Sequence, residues 1–78
     1  MKDKKIFSTS ELALSAFLIL NRFELSDIEK DREGRATFHL NDKPERPELV
    51  LKYFGKDTTV EPLSFLEEIR NLKALTKN

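Results

Sequence analysis

Apolar residues crowd one stretch of this chain so closely that no polar face is left. Leu12, Ala13, Leu14, Ala16, Phe17, Leu18, Ile19 and Leu20 are interrupted only by Ser15. Wound into a helix, they cover nearly the whole circumference, and such a helix is buried on several sides. Either it is the central element of the fold, or part of it faces another molecule. Its start reads as Ser8-Thr9-Ser10-Glu11, a capping box in which the Ser8 hydroxyl accepts from the Glu11 amide and the Glu11 side chain reaches back. Phe7 and Leu12 then occupy the positions of a hydrophobic staple. The expected helix runs from Thr9 to about Leu20.

Asn21 and Arg22 end that run, and the period changes from helical to alternating. Phe23, Glu24 and Leu25 alternate, then the pattern slips before Ile28, as a β-bulge near Ser26 and Asp27 would make it. Asp31-Arg32-Glu33-Gly34 supplies hairpin turn chemistry, with Gly34 free to take a left-handed conformation. In the return strand, Arg35 to Leu40, Ala36, Phe38 and Leu40 face one way and Arg35, Thr37 and His39 the other. A hairpin alone is marginal, so its apolar face must lie on the first helix.

Asn41 to Pro47 is a turn-rich connection into a second helix. Two starts compete: Asp42 as cap with Glu45 as its partner, which is preferred, or Pro47 at the first helical position. Leu49, Val50, Tyr53 and Phe54 form its apolar face, and Gly55 is the expected stop. Thr58-Thr59-Val60 is available for a short third strand against the hairpin. The last helix opens at Pro62 with Glu61 as cap. Phe65, Leu66, Ile69, Leu72 and Leu75 make its buried stripe, with Glu67, Glu68, Arg70 and Lys73 towards water. The class is α+β: helix, β-hairpin with room for a short third strand, then two helices packed on the hairpin and the first helix. Residues 1–6 read as a flexible basic N-terminal segment and residues 7–76 as one compact domain.

Composition narrows the function. A chain of 78 residues supports one thin core and a stability of roughly 5 kcal/mol, so a partner or self-association is a live possibility. Without Cys there are no disulfides and no thiolate metal sites, which fits a cytoplasmic protein. Lys plus Arg and Asp plus Glu both number 14, so the basic excess of a non-specific nucleic-acid binder is missing. The apolar stretch is shorter than the ~20 residues of a membrane span.

Candidate chemistry is sparse. His39, the only His, stands on the outward strand face near Arg35 and Thr37, with Glu24 or Ser26 across the hairpin. No spacing brings it a nucleophile, so it reads as a surface His paired across the sheet. Asp27, Glu29, Asp31 and Glu33 alternate with Lys30, Arg32 and Arg35, the pattern of a solvated edge rather than a cation site. Gly34 and Gly55 are the only glycines, so no Gly-rich phosphate loop exists. Neither a catalytic residue nor a metal, cofactor or small-molecule site is expected. Of the basic residues, Arg35 on the hairpin and Arg70 and Lys73 on the last helix are the candidate phosphate contacts. Tyr53 is expected at the rim of the core, where its hydroxyl meets water or a partner.

The stretch from Ser8 through Glu11 with Leu12, Phe17 and Leu18, the strand from Phe23 to Ile28, and Gly34, Thr37 and Phe38 form one set of landmarks. Tyr53-Phe54-Gly55, Val60-Glu61-Pro62, Phe65, Leu72 and Lys73 form another. In this order they resemble a family of short uncharacterised proteins of bacteria, archaea and their phages, a domain of unknown function with the pattern αββαα. The likeness spans about residues 7 to 75. Asn21-Arg22-Phe23 departs from it where a Gly more often follows the first helix, and Glu61 stands where Asp would cap the last. The resemblance implies a setting among mobile elements and carries over no activity.

Two function classes follow. One is a small non-catalytic interaction module, an accessory subunit of a phage or mobile-element assembly, with Leu14, Leu18 and Tyr53 as its interaction surface. The other is a direct nucleic-acid binder using Arg35, Arg70 and Lys73.

Overall fold

The computed structural model describes residues 5–77. In chain order it contains β1 (Ile6–Thr9), α1 (Leu12–Leu20), β2 (Leu25–Lys30), β3 (Ala36–Asn41), α2 (Arg46–Phe54) and α3 (Pro62–Thr76). The α+β class is as expected, with three helices and a three-stranded antiparallel sheet of order β1-β3-β2. Of the basic N-terminal segment, residues 1–4 lie outside the described residues, and Ile6 already pairs with Asn41.

The third strand is not Thr58 to Val60 but Ile6 to Thr9. Those residues sit on β3 with Phe7 opposite Leu40 and Thr9 opposite Phe38. This overturns the capping box. Alternation in Ile6-Phe7-Ser8-Thr9 puts Phe7 against the core, and strand pairing outcompetes the local cap. The Ser8 hydroxyl goes to His39, the Glu11 amide bonds the Thr9 hydroxyl at 3.1 Å, and α1 starts three residues later than the capping signal implies.

The hairpin behaves as its pattern says. The register of β2 against β3 shifts between Leu25 and Asp27, where the bulge was expected, and Gly34 has a φ of 86° in the turn. Phe38 and Leu40 are buried. Helix α1 lies across this face, with Leu14, Ser15, Ala16, Phe17 and Leu18 all buried in succession. Phe23, Phe38, Leu40 and Leu72 join them in one core.

Helices α2 and α3 flank α1. The Arg46 guanidinium, at the start of α2, lies 4.4 Å from the centre of the Phe7 ring, which places α2 on the β1 side. The Lys30 ammonium bonds the Thr76 carbonyl, which places the end of α3 on the β2 side. The shortest dimension of the molecule, 19 Å, holds one helical layer on one sheet and no more. Among the described residues, no second layer covers the other face of the sheet.

Helix ends follow the chemistry with two exceptions. Glu61 caps α3, accepting from the amides of Leu63 and Ser64, with Pro62 in the first turn. Helix α2 begins at Arg46, so the later start prevails. Asp42 instead accepts from the Lys43 amide and from Arg46 at 3.1 and 3.3 Å. Gly55 ends α2 in a right-handed conformation, and Lys56 takes the left-handed one with φ 60°.

Both α1 and α2 close with a Schellman pair. Phe23 and Arg22 amides return to the Leu18 and Ile19 carbonyls, and Asp57 and Lys56 amides return to those of Lys52 and Tyr53. In each the left-handed position holds a long basic residue, Arg22 with φ 72° or Lys56. A Cβ is disfavoured there, so Arg22→Gly is expected to stabilise the protein by about 0.5–1 kcal/mol. A rise in the urea midpoint at unchanged slope would show it; a fall would mean that the Arg22 side chain contributes more than its backbone strain removes.

Candidate functional site

Leu14 and Leu18, expected on an interaction surface, are 2% and 0% exposed and belong to the core. The physical reason is the layer arrangement. Helix α1 meets the sheet below and a helix on either side, so one chain suffices to enclose the residues Leu14 to Leu18. Tyr53 does sit at the rim, half-buried, with its ring 5.2 Å from Phe17 and 5.2 Å from Phe54. Burial pushes its phenol pKa up, with a further push from Glu11.

The exposed apolar surface lies instead on the flanking helices. Leu51 and Phe54 of α2 and Leu63, Leu66 and Leu75 of α3 are all exposed, as is Ile6 of β1. Leu66 and Leu75 belong to the stripe expected to be buried, and Phe54 to the apolar face of α2, yet all three reach solvent. The stripe of α3 is wider than one neighbouring helix can cover, and only Leu72 is fully enclosed while Phe65 and Ile69 are half-buried. On α2 no residue is fully buried.

The open face of the sheet carries a constellation that strand spacing alone does not reveal. Ser8 of β1 stands opposite His39 of β3, and Glu29 of β2, opposite Thr37, reaches His39 diagonally. Ser8 Oγ is 2.6 Å from His39 Nδ1, and Glu29 Oε1 is 2.6 Å from His39 Nε2. His39 is thus paired across the sheet as expected, though with Glu29 and Ser8 rather than Glu24 or Ser26. Ser8 was invisible as a partner because it was assigned to a helix cap. The group joins a hydroxyl, an imidazole and a carboxylate. Among the described residues it stands on an uncovered strand face, with Ser8 and Glu29 exposed. What it does in the fold is tie the three strands together through side chains.

The basic candidates divide. Arg35 is at the turn, with its Nε 4.0 Å from Asp31. Arg70 and Lys73 are exposed on α3, and neither has an ion-pair partner among the described residues. The bond from Lys30, beside the hairpin turn, to Thr76 brings the turn end of the hairpin to the end of α3, so the three share one end of the molecule.

A cleft of about 280 Å³ lies between the end of α1 and the start of α3, lined by Leu20, Asn21, Thr59, Val60, Glu61 and Ser64. Its carboxylate is already engaged. The Ser64 hydroxyl, then the Ser64 and Leu63 amides, hold the Glu61 carboxyl below its ordinary pKa. Asp42 is likewise lowered, chiefly by its bonds from Arg46. Among the described residues no group of three or more His, Cys, Asp or Glu is placed to hold a metal ion. No helix among them is long and apolar enough to cross a membrane.

A family model described as "Domain of unknown function (DUF5659)" matches residues 4–78. No curated protein and no solved structure matches the chain.

Proposed function

The chain belongs to the DUF5659 family, and on that premise we propose that it is a small, non-catalytic, cytoplasmic protein-interaction module. One observation supports this most. Leu51 and Leu63 are 75% and 73% exposed, and Phe54, Leu66 and Leu75 accompany them on the same two helices. Single exposed apolar residues are ordinary, but two large ones on α2 and three on α3, one group on each side of α1, are positions that a partner would cover. The finer reading, an accessory subunit of a phage or mobile-element assembly, rests on the family resemblance.

A second reading has its own support. Arg70 and Lys73, with Arg35 at the same end of the molecule, offer phosphate contacts on a surface distinct from Leu51 and Phe54. One experiment separates the two. A photo-crosslinking residue is placed in cells of the source organism at Leu51, Leu63, Arg70 or, as control, Glu33. The module reading expects protease-sensitive adducts at Leu51 and Leu63 and none at Glu33. Nuclease-sensitive adducts at Arg70 alone would replace it by nucleic-acid binding, and no adduct at any position would overturn both.

A further inference from the structure

We propose that two copies of this chain pair antiparallel through β1, joining their sheets into one six-stranded sheet; this deepens the interaction-module reading by naming the partner. The two sheet edges, β1 and β2, are built differently. The β2 edge carries exposed Asp27, Glu29 and Lys30 and a register shift after Leu25. Charge and a bulge are what keep an edge from pairing with another chain. The β1 edge, Ile6-Phe7-Ser8-Thr9, has no charge, no proline and no bulge.

Its backbone is also unfilled. The Asp42 amide donates to the Lys5 carbonyl, while the Asn41 amide donates to Glu24 on the opposite side. Antiparallel pairs alternate between bonded and non-bonded. Phe7 and Thr9 therefore exchange their bonds with β3, and Ile6 and Ser8 turn their N–H and C=O groups outward. No backbone partner meets them among the described residues.

Those two outward residues lie symmetrically about Phe7, which makes the edge self-complementary. With Phe7 on a twofold axis, Ile6 of one copy faces Ser8 of the other. Each such pair exchanges two backbone bonds, and both pairs keep their side chains on the open face. The arrangement is isologous and closes at two copies, since each copy spends its only unprotected edge. Four residues of strand fall well short of the roughly 1,200 Å² of a stable interface, so a second contact is needed. Helix α2, on the β1 side, provides it. Leu51 and Phe54 are exposed on that helix, whose start packs on Phe7 of β1 through Arg46, and Ile6, 46% exposed, adds apolar surface from the open face.

Light scattering after size exclusion is expected to give a mass of twice the 9.1 kDa chain at micromolar concentration. Ile6→Pro removes an outward N–H without touching the bonds to β3, and is expected to yield a folded monomer. Leu63→Asp, on α3, is expected to remain a dimer. Amide exchange on the unaltered chain gives a reading independent of variant folding: the Ser8 amide should slow as concentration rises. A monomer at all concentrations, with a fast Ser8 amide throughout, overturns the proposal. So does a dimer that Leu63→Asp splits and Ile6→Pro leaves intact. If the chain is monomeric yet Leu51 and Leu63 crosslink to another protein, the module reading stands with a different partner. A monomer with no adducts ends both.

Discussion

Leu72→Ala is expected to lower the unfolding free energy by about 2–5 kcal/mol, a large part of what a domain of this size has. Leu72 is 1% exposed and is the one fully buried residue in the fifteen of α3. Its side chain fills the space between α3 and α1, next to half-buried Phe65 and Ile69. Removing three carbons there opens a cavity that neither rigid helix can close. The comparison that gives the number meaning is Leu75→Ala, three residues away and 62% exposed, which should change stability by less than about 0.5 kcal/mol. Urea unfolding followed by circular dichroism measures both. Equal losses in the two variants would show that α3 is not docked through Leu72, and the layered arrangement with it would fail.

The same pair of leucines shows where sequence reasoning reaches and where it stops. Periodicity placed Leu72 and Leu75 on one stripe, and correctly found α3 itself with its Glu61 cap and Pro62 start. Periodicity reports which residues share a helix face; it does not report how wide the neighbouring surface is. With only α1 to pack against, the stripe is covered along its centre and bare at its margins, at Leu66 and Leu75. The hairpin was legible in detail, down to the bulge after Leu25 and the left-handed Gly34, because bulge and turn are local chemistry. Strand β1 was not. Phe7, Ser8 and Thr9 belong to a strong local signal for a helix start, and what defeats that signal is a partner about thirty positions away, Leu40 and His39 opposite Phe7 and Ser8.

That one misassigned strand accounts for most of what was hidden about the candidate sites. With Ser8 in a cap, His39 had no hydroxyl neighbour; with Ser8 on β1, the two are 2.6 Å apart. With three strands instead of a hairpin, β1 replaces β3 as one edge of the sheet, and the sheet covers more of α1. Leu14 and Leu18 then lie in the core, and the surfaces left for a partner are the flanking helices and the edge. No Gly follows the first helix, and the structure shows what stands in its place. Arg22 takes the left-handed conformation that a Gly would take without strain.

Ser15→Asp is expected to abolish the folded state at neutral pH, whereas Ser15→Ala should change stability by no more than about 1 kcal/mol. Ser15 is 0% exposed, and its hydroxyl donates to the Glu11 carbonyl at 2.9 Å. Alanine loses that bond but leaves no orphan, because the Glu11 carbonyl also accepts from the Ser15 amide at 3.0 Å. It also favours the helix more than serine does. Aspartate has only acceptors to offer where the neighbour is itself an acceptor, so a carboxylate would be buried without a donor. Amide spectra and thermal unfolding distinguish the outcomes. A folded Ser15→Asp protein with a Tm near the parent's would mean that this side of α1 reaches solvent within one chain. An interaction surface on the first helix would then be back in play. Loss of fold in Ser15→Asp alone would establish that the polar break in the apolar run is a core position, and that partners must be sought on α2, α3 and the β1 edge.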